Sequence, residues 1–460
     1  MDVSTKPKRK QHAPSRAYPD LHDHIRALDK AGLLVRVDRP IDKDTEMHPL
    51  VRWQFRGGIE EKERKAFLFT NVVDAKGRKY DIPVLVGGLA ANREVYRIGI
   101  GCPFEEIDAR WVRAAQNPLP PRLVDNAPCH EVVVTGKALD KPGQGLDGIP
   151  LPISTPGWDV SPYTTLSQYI TKDPDTGVQN MGNYRGQVKT RRRLGMNPSL
   201  ELRPGIYLHW EKMRERGFKK LPAAVVLGAP PCITFASVQK LPETLDELYI
   251  AGALVGSPVN VVKAKTVDLL VPAEAEIVIE GLIDTEYLEP EAPFGESHGH
   301  VNLQEFNAFM DVTAITRRRD AVLTSIISQV TPSESSLIKR IGMEPLFLNH
   351  LRDTLGIKCV KRVSMHEPLT NIRKVILLVM SATRRQRKSG APSTAPRCSI
   401  VPPANTSSRS TTTSIRRTPT RSCGRCRTVP IQVSTSTSCR TATRDTGRAA
   451  SATAVRTPQC

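Results

Sequence analysis

Apolar residues in "DLHDHIRALDKAGL" recur at three- and four-residue spacing behind Asp20, so this stretch is expected to form a helix with Asp20 as its N-cap. The period then changes. "LVRVDRPI", "AFLFTNVV" and "DIPVLVGG" are short runs rich in β-branched and aromatic residues and read as strands. Residues 121–157 are rich in Pro and Gly ("NPLPPRLVDNAP", "LDGIPLPISTPGW"), which places a domain boundary near residue 120. Beyond it, "TLSQYIT", "AAVVLG", "NVVKAKTVDLLV" and "AEIVIEGLI" are expected strands separated by turn signals, a β-rich middle domain. "SESSLIKRIGMEPLFLNHLRDTLG" reads as a connecting helix capped by Ser333 or Ser335, and "IKCVKRVSM" and "NIRKVILLVM" as the strands that open a third domain. The expected organisation is a disordered basic segment 1–16, an N-terminal α/β domain 17–120, a middle domain 121–331, a connecting helix 332–356, the start of a C-terminal domain 357–380, and a tail 381–460.

Composition adds little until its distribution is seen. The chain has 460 residues, 39% hydrophobic and 25% charged, in the range of globular proteins. It contains no apolar run long enough to span a bilayer, and "MDVSTKPKRKQHAPSR" lacks the apolar stretch of a secretory signal, so a cytoplasmic location is expected. Before residue 381 the cysteines are Cys102, Cys129, Cys232 and Cys359, too scattered for a disulfide framework or a Cys-rich metal site. The net charge of +19 suggests nucleic acid, yet residues 381–460 hold fifteen Arg or Lys against one acid, Asp445, which leaves about +5 for the body. That tail has no aromatic residue and no Leu, so it lacks both a base-stacking surface and the means to build a core. Its abrupt onset suggests a reading-frame change near residue 381, the alternative being a genuine disordered basic tail. With a changed frame, the Cys423-Gly-Arg-Cys426 pair is an accident and the opening strands of the third domain lack partners for their apolar faces, so that the chain as written assembles poorly and is inactive.

The candidate chemistry lies in four places. In "EPEAPFGESHGH", Glu291 and Glu296 flank a Pro-Phe-Gly turn; Pro293 and Gly295 exclude a helix, and a turn can bring the two acids together. Neighbouring carboxylates repel, so that one keeps its proton and can act as a general acid; the same loop also reads as a solvated acidic turn. In "VQNMGNYRGQV", Asn180 and Arg185 are five apart, opposite faces of a regular strand, so a joint role needs a bend, which Gly182 permits. Arg185 can serve a substrate or glutamate carboxylate, or make a structural ion pair. His209 in "GIYLHWEK" reads as part of an apolar strand, and Glu247 in "LPETLDELYIAGALVG" as the start of a helix. His209 is either a core residue or, with Asn180 and Glu247, part of a mixed O/N ligand set suited to Mn²⁺ or Mg²⁺ on a phosphate.

In this order, Asn180 with Arg185, His209, Glu247 ahead of "GALVG", and "PEAPFGE" resemble the UbiD family of decarboxylases over about residues 20–380. The basic spacer "KTRRRLGMNPSLELRPG" before His209 and everything after residue 380 depart from the family's pattern. The resemblance implies an α/β (α+β) protein with a central flavin-binding split β-barrel and a C-terminal α/β oligomerisation domain, incomplete here. It implies prenylated FMN as cofactor, held through Mn²⁺ or Mg²⁺ and accompanied by K⁺, with Asn180, His209 and Glu247 as metal ligands. Asn180, Arg185, His209, Ser237 and Glu247 would bind the cofactor, and Arg185, Glu291 and Glu296 would form the catalytic set, Glu296 giving its proton to carbon. The implied reaction is the reversible, non-oxidative decarboxylation of an aromatic or α,β-unsaturated carboxylic acid through a covalent adduct with the cofactor. Such a reaction requires an electron sink that side chains lack. A flavin prenyltransferase as cofactor supplier and a homo-oligomeric state are implied too, with neither a membrane nor nucleic acid as partner. Two other readings stand beside it: a catalytically inactive flavin-fold binding protein with a nucleic-acid-binding tail, and a flavin-free metal-dependent hydrolase.

Overall fold

The computed structural model of the chain describes residues 15–157, 159–197, 204–241, 244–296, 301–365 and 376–380. The basic tail and both readings of it lie outside the described residues, as does Pro198–Arg203 of the departing spacer. The first helix is Leu21–Lys30; Asp20 and Asp23 form a reciprocal capping box, and Leu21, His24, Ile25 and Leu28 are its buried face. Such a cap contributes about 1 kcal/mol. Arg16, within the segment expected to be disordered, pairs with Asp20 at 2.9 Å.

The N-terminal sheet has the order Leu34–Val37, Ala66–Phe69, Val84–Val86, Leu323–Ser325. "LVRVDRPI" is therefore two short strands, Leu34–Val37 and Ile41–Asp42, because the intervening Asp38–Pro40 cannot continue the ladder through a proline. The fourth strand comes from far along the chain and pairs in parallel with Val84–Val86. It leads towards the long helix Glu334–Asn349, where Ser333 and Ser336 form a second capping box. There the buried Glu334 carboxylate accepts from the backbone N–H groups of Gly87, Leu89, Ala90 and Ile327, tying this helix to the loop after Val84–Val86.

The middle of the chain forms a large sheet in the order Gln179–Asn183, Gln168–Lys172, Lys220–Leu227, Ile277–Asp284, Glu305–Arg317, Arg193–Met196, Gly186–Thr190, Tyr163–Thr164. Gln179–Asn183 is at one end of this order and Gly186–Thr190 is next to the other, yet only Tyr184 and Arg185 separate them in sequence. The three Cα–Cα steps from Asn183 to Gly186 reach at most about 11 Å, so the sheet must curl until its ends nearly meet. Residues 165–167 cross the same seam, where Ser167 Oγ donates to Tyr184 O at 2.5 Å and Tyr184 N to Ser167 O at 3.2 Å. This is the mixed α/β architecture expected from the sequence. "NVVKAKTVDLLV", expected as one strand, is instead the antiparallel pair Asn260–Lys263 and Leu270–Pro272, whose pairing reverses the chain between them, with Ala264 N donating to Leu269 O at 2.9 Å. After Glu334–Asn349, the strands Val360–Met365 and Ile376–Met380 pair antiparallel over a small core of Leu351, Val360, Val363 and Leu378.

Two fully buried histidines join the N-terminal segment to its surroundings: His24 Nε2 lies 2.6 Å from Gly88 O and His48 Nε2 2.7 Å from Ser325 Oγ. Burial pushes His24 down to about 4 and His48 down to about 3. Below the ordinary value near 6.5, the unfolded chain takes up protons that these folded imidazoles refuse. Their stabilising contribution is therefore complete above that value and is lost as the pH falls towards 4. The melting temperature is expected to drop between pH 7 and pH 5, and His48→Gln to flatten that slope in a pH series of thermal melts.

Candidate active site at the seam of the curled sheet

Arg185 stands in the two-residue crossing between sheet ends, so its side chain is free of either ladder. Its Nε donates to Glu291 Oε1 at 2.9 Å and its Nη2 to Glu291 Oε2 at 2.7 Å, while Nη1 pairs with Glu296. Glu291 ends the strand Glu289–Glu291, which pairs with the start of Glu305–Arg317. From the facing strands, Asn307 Nδ2 and Asn197 Nδ2 also donate to Glu291 Oε2, at 2.8 and 3.1 Å. Glu291 is 1% exposed and thus a saturated, immobile acceptor. The Glu296 side chain, 24% exposed, is the freer of the two acids. The bend that joins Asn180 to Arg185 falls at Tyr184–Arg185 and not at Gly182, which keeps regular pairing with Tyr169. Gly182 has a different use: a Cβ there would stand 2.5 Å from the Tyr184 hydroxyl, so the glycine leaves room for that ring.

The Pro-Phe-Gly turn is held along its backbone. Ala292 N donates to Gln187 Oε1 at 3.1 Å, Ala292 O accepts from Tyr163 Oη at 2.9 Å, and Gly295 N donates to Asp159 Oδ1 at 2.7 Å. The Phe294 ring packs on Tyr163, centroids 4.6 Å apart, and the Arg185 guanidinium lies 5.0 Å above it. Burial raises the Tyr163 phenol, which keeps it a donor.

A second cluster lies on the strand that leads into Arg185. Glu247 opens the helix Glu247–Val255, capped by Asp246, and its carboxyl accepts from Asn180 Nδ2 at 3.0 Å and Met181 N at 2.7 Å. Burial pushes Glu247 up to about 8, against the pull of the Met181 N–H. His209 is in the helix Gly205–Glu215, not in a strand: the alternation in "GIYLHWEK" is too short to exclude the helical period, and Ile206, His209 and Trp210 form the buried face. Its Nδ1 lies 2.8 Å from Thr171 Oγ1, and Thr171 is the direct cross-strand partner of Asn180. Gly205 brings the start of that helix against Asn180, whose Oδ1 would be 2.5 Å from a Cβ there. Ser237 ends the helix Pro231–Ser237, its Oγ accepting from Asn183 Nδ2 at 2.7 Å and donating to Thr234 O at 2.9 Å.

The donors of this second cluster suit a divalent cation. Asn180 Oδ1 is buried and lacks a hydrogen-bond partner among the described residues. Burial pushes His209 down to about 4, so the ring is neutral, and its contact with Thr171 leaves Nε2 to offer. The Glu247 carboxyl is buried where a negative charge requires a cation. Among the described residues no three His, Cys, Asp or Glu side chains form a ligand group, and the Asn180 amide beside Glu247 offers a further oxygen.

Residues 122–330 match the Rift-related domain of 3-octaprenyl-4-hydroxybenzoate carboxy-lyase (UbiD), and residues 25–115 match its N-terminal domain. An uncharacterised protein of Aquifex aeolicus is 32% identical over 339 residues, 70% of this chain and 67% of that protein. The chain belongs to the UbiD family. Its fold is also similar to that of two solved structures. One is an evolved dimeric form of the UbiD-class enzyme HmfF from Pelotomaculum thermopropionicum in complex with prFMN: TM-score 0.70, 31% identity, 80% of each chain covered. The other is the 3,4-dihydroxybenzoic acid decarboxylase of Enterobacter cloacae: TM-score 0.64, 26% identity, 75% of this chain and 72% of that one covered. No helix among the described residues of this UbiD-family chain is long and apolar enough to cross a membrane.

Of the sequence-predicted residues, Arg185 meets Glu291 and Glu296, Asn180 meets Glu247 and, by way of Thr171, His209, and Ser237 bonds Asn183 apart from both groups. Sequence reasoning missed Asn197, Asn307, Asp159, Tyr163 and Thr171. Asn197 and Asn307 occupy no motif; cross-strand register alone delivers them to Glu291. The surroundings of Asp159, "STPGWDVSP", carry a turn signature that names no chemistry.

Proposed function

We propose that this UbiD-family protein is a prenylated-FMN-dependent carboxy-lyase that releases CO₂ from an aromatic carboxylic acid, or, less favoured, from an α,β-unsaturated one, and that runs in reverse at high CO₂. The observation that carries this reading is a single guanidinium, Arg185, bonded at once to Glu291 and Glu296. When bound, the prenylated flavin supplies the electron sink for the pair left behind by CO₂. The protein's own groups do the rest. Arg185 orients the substrate carboxylate while it is bonded to Glu291. Glu291, accepting from Arg185, Asn197 and Asn307, serves as a fixed negative charge. Glu296, with fewer partners among the described residues and more room, holds the proton that passes from its carboxyl oxygen to the carbon left by CO₂. The grip on Ala292 and Gly295 fixes where that oxygen sits. Asn180 Oδ1, His209 Nε2 and the Glu247 carboxylate would hold Mn²⁺ or Mg²⁺ against the cofactor phosphate, with Ser237 on the same cofactor and K⁺ as an accompanying ion. A flavin prenyltransferase would supply the cofactor to a cytoplasmic homo-oligomer. The relation to an enzyme solved with prFMN and to a dihydroxybenzoic acid decarboxylase supports both cofactor and substrate class.

The test is direct. Full-length protein loaded with prenylated FMN and Mn²⁺ is offered aromatic and acrylic acids in D₂O; CO₂ release is expected, with deuterium at the vacated carbon. No release from either class, or hydrolytic activity with metal alone, would overturn the proposal. His209→Ala and Glu247→Ala are each expected to lower bound Mn²⁺ and bound flavin together, read by metal analysis and flavin absorbance, because the metal links protein to phosphate. Loss of metal with flavin retained would separate the two sites.

A further inference from the structure

The Asp159 carboxylate is buried, 4% exposed, and its two oxygens have different duties. Oδ2 accepts from its own loop: Ser154 Oγ at 2.9 Å and Thr155 N at 2.9 Å. Oδ1 accepts at 2.7 Å from Gly295 N, 136 residues away in sequence and adjacent to Glu296. A cation faces this group from the N-terminal domain. Arg52, in the helix Met47–Arg56, donates through Nη2 to Ser154 O and, at 3.3 Å, to Gln329 Oε1. Gln329 Nε2 in turn donates to Ser154 Oγ at 2.7 Å, which passes the linkage on to Asp159. On the other side of the turn, Gly295 lies so near Thr155 that a Cβ would stand 2.7 Å from its Oγ1.

We infer that Asp159 is a positioning residue for Glu296: anchored by Ser154, Thr155 and the Arg52 linkage, it fixes the Gly295 amide and thereby the position from which the neighbouring carboxyl delivers its proton. This rests on the assignment of Glu296 as the acid. The neutral peptide N–H of Gly295 meets a charged acceptor in a dry setting, where such a bond is about twice as strong as a neutral one. Without it the turn retains its anchors at Ala292, upstream of Pro293, but loses the anchor next to Glu296. Proton transfer is sensitive to such a loss, since a displacement of about 1 Å costs roughly 10²-fold in rate.

The experiment uses Asp159→Ala and Asp159→Ser in full-length, cofactor-loaded protein, the serine being too short to reach Gly295 while still able to bond its own loop. Expected are a fall in kcat of roughly 10- to 10²-fold with KM within about threefold, and faster hydrogen exchange at the Gly295 amide. A cycle with Glu296→Gln separates positioning from general structural support: once the acid is gone, the Asp159 substitution should cost little more. The same fractional loss in the Glu296→Gln background, a native kcat in a folded Asp159 variant, or unchanged exchange at Gly295 would each overturn the inference. Native turnover in Glu296→Gln alone would instead overturn the acid assignment, so the two failures are read from different variants. If Asp159→Ala does not fold, Asp159→Ser decides on the same criteria.

Discussion

Glu296→Gln is expected to keep flavin and metal and to lower turnover by roughly 10² or more, the contribution usual for a positioned general acid. The expectation comes from the inequality of the two carboxyls. Glu291 accepts four hydrogen bonds, two from Arg185 and one each from Asn197 and Asn307, and is almost fully enclosed. Delivering a proton from there would require dismantling that set. Glu296 meets Arg185 through Nη1 and has a quarter of its side chain exposed, so it can approach a substrate carbon and recover a proton afterwards. Glutamine preserves shape and the contact with Arg185 but carries no transferable proton. The decisive measurement is single-turnover decarboxylation in D₂O, where both the rate and deuterium incorporation should fall. A Glu296→Gln enzyme with native rates would remove Glu296 from the role.

Arg185→Ala is expected to be as damaging, roughly 10²- to 10³-fold in kcat, and to lower stability as well. The Arg185 side chain is 12% exposed and that of Glu291 2%, so deleting the cation leaves a buried carboxylate with its asparagine partners alone among the described residues. Breaking a buried pair by removing one member costs about 3–5 kcal/mol. Arg185→Lys should restore stability but little of kcat, because an ammonium restores the buried charge yet cannot give the two parallel bonds to Glu291 and a third to Glu296 at the same time. Thermal melts and kcat on the same preparations separate the two effects: recovery of stability in Arg185→Lys without recovery of kcat is the expected pattern. Recovery of both would mean that only a positive charge is needed there.

Much of the architecture was legible in the sequence, for reasons that differ between elements. Asp20 and Ser333 announced their helices because capping is local chemistry: a short side chain reaches a backbone N–H within the same turn. Gln168–Lys172 and Ile277–Asp284 were readable as strands because β-branched and aromatic residues favour the pleated surface. His209 was misplaced, since four or five residues do not distinguish a period of two from one of 3.6 when the helix is short and packed on one face. Reading "NVVKAKTVDLLV" as one strand failed for a similar reason: Lys263 to Asp268 contains neither Pro nor Gly, and the reversal is imposed by pairing between its flanks.

The sequence by itself singled out the candidate residues, the two acids about the Pro-Phe-Gly turn and the arginine five residues after Asn180, and supplied the order of motifs that points to the UbiD family. Residue type, local spacing and motif order are properties of the chain, and they survive without coordinates. Only the tertiary structure decided how these residues meet. The curl of the sheet puts Arg185 at a seam between its two ends, where one guanidinium can reach both glutamates. Cross-strand register brings Asn197 and Asn307 to Glu291, and the path from Arg52 to Asp159 ends on Gly295. Contacts between residues some 90 to 140 apart follow from closure of the whole sheet and leave no periodic trace in the sequence.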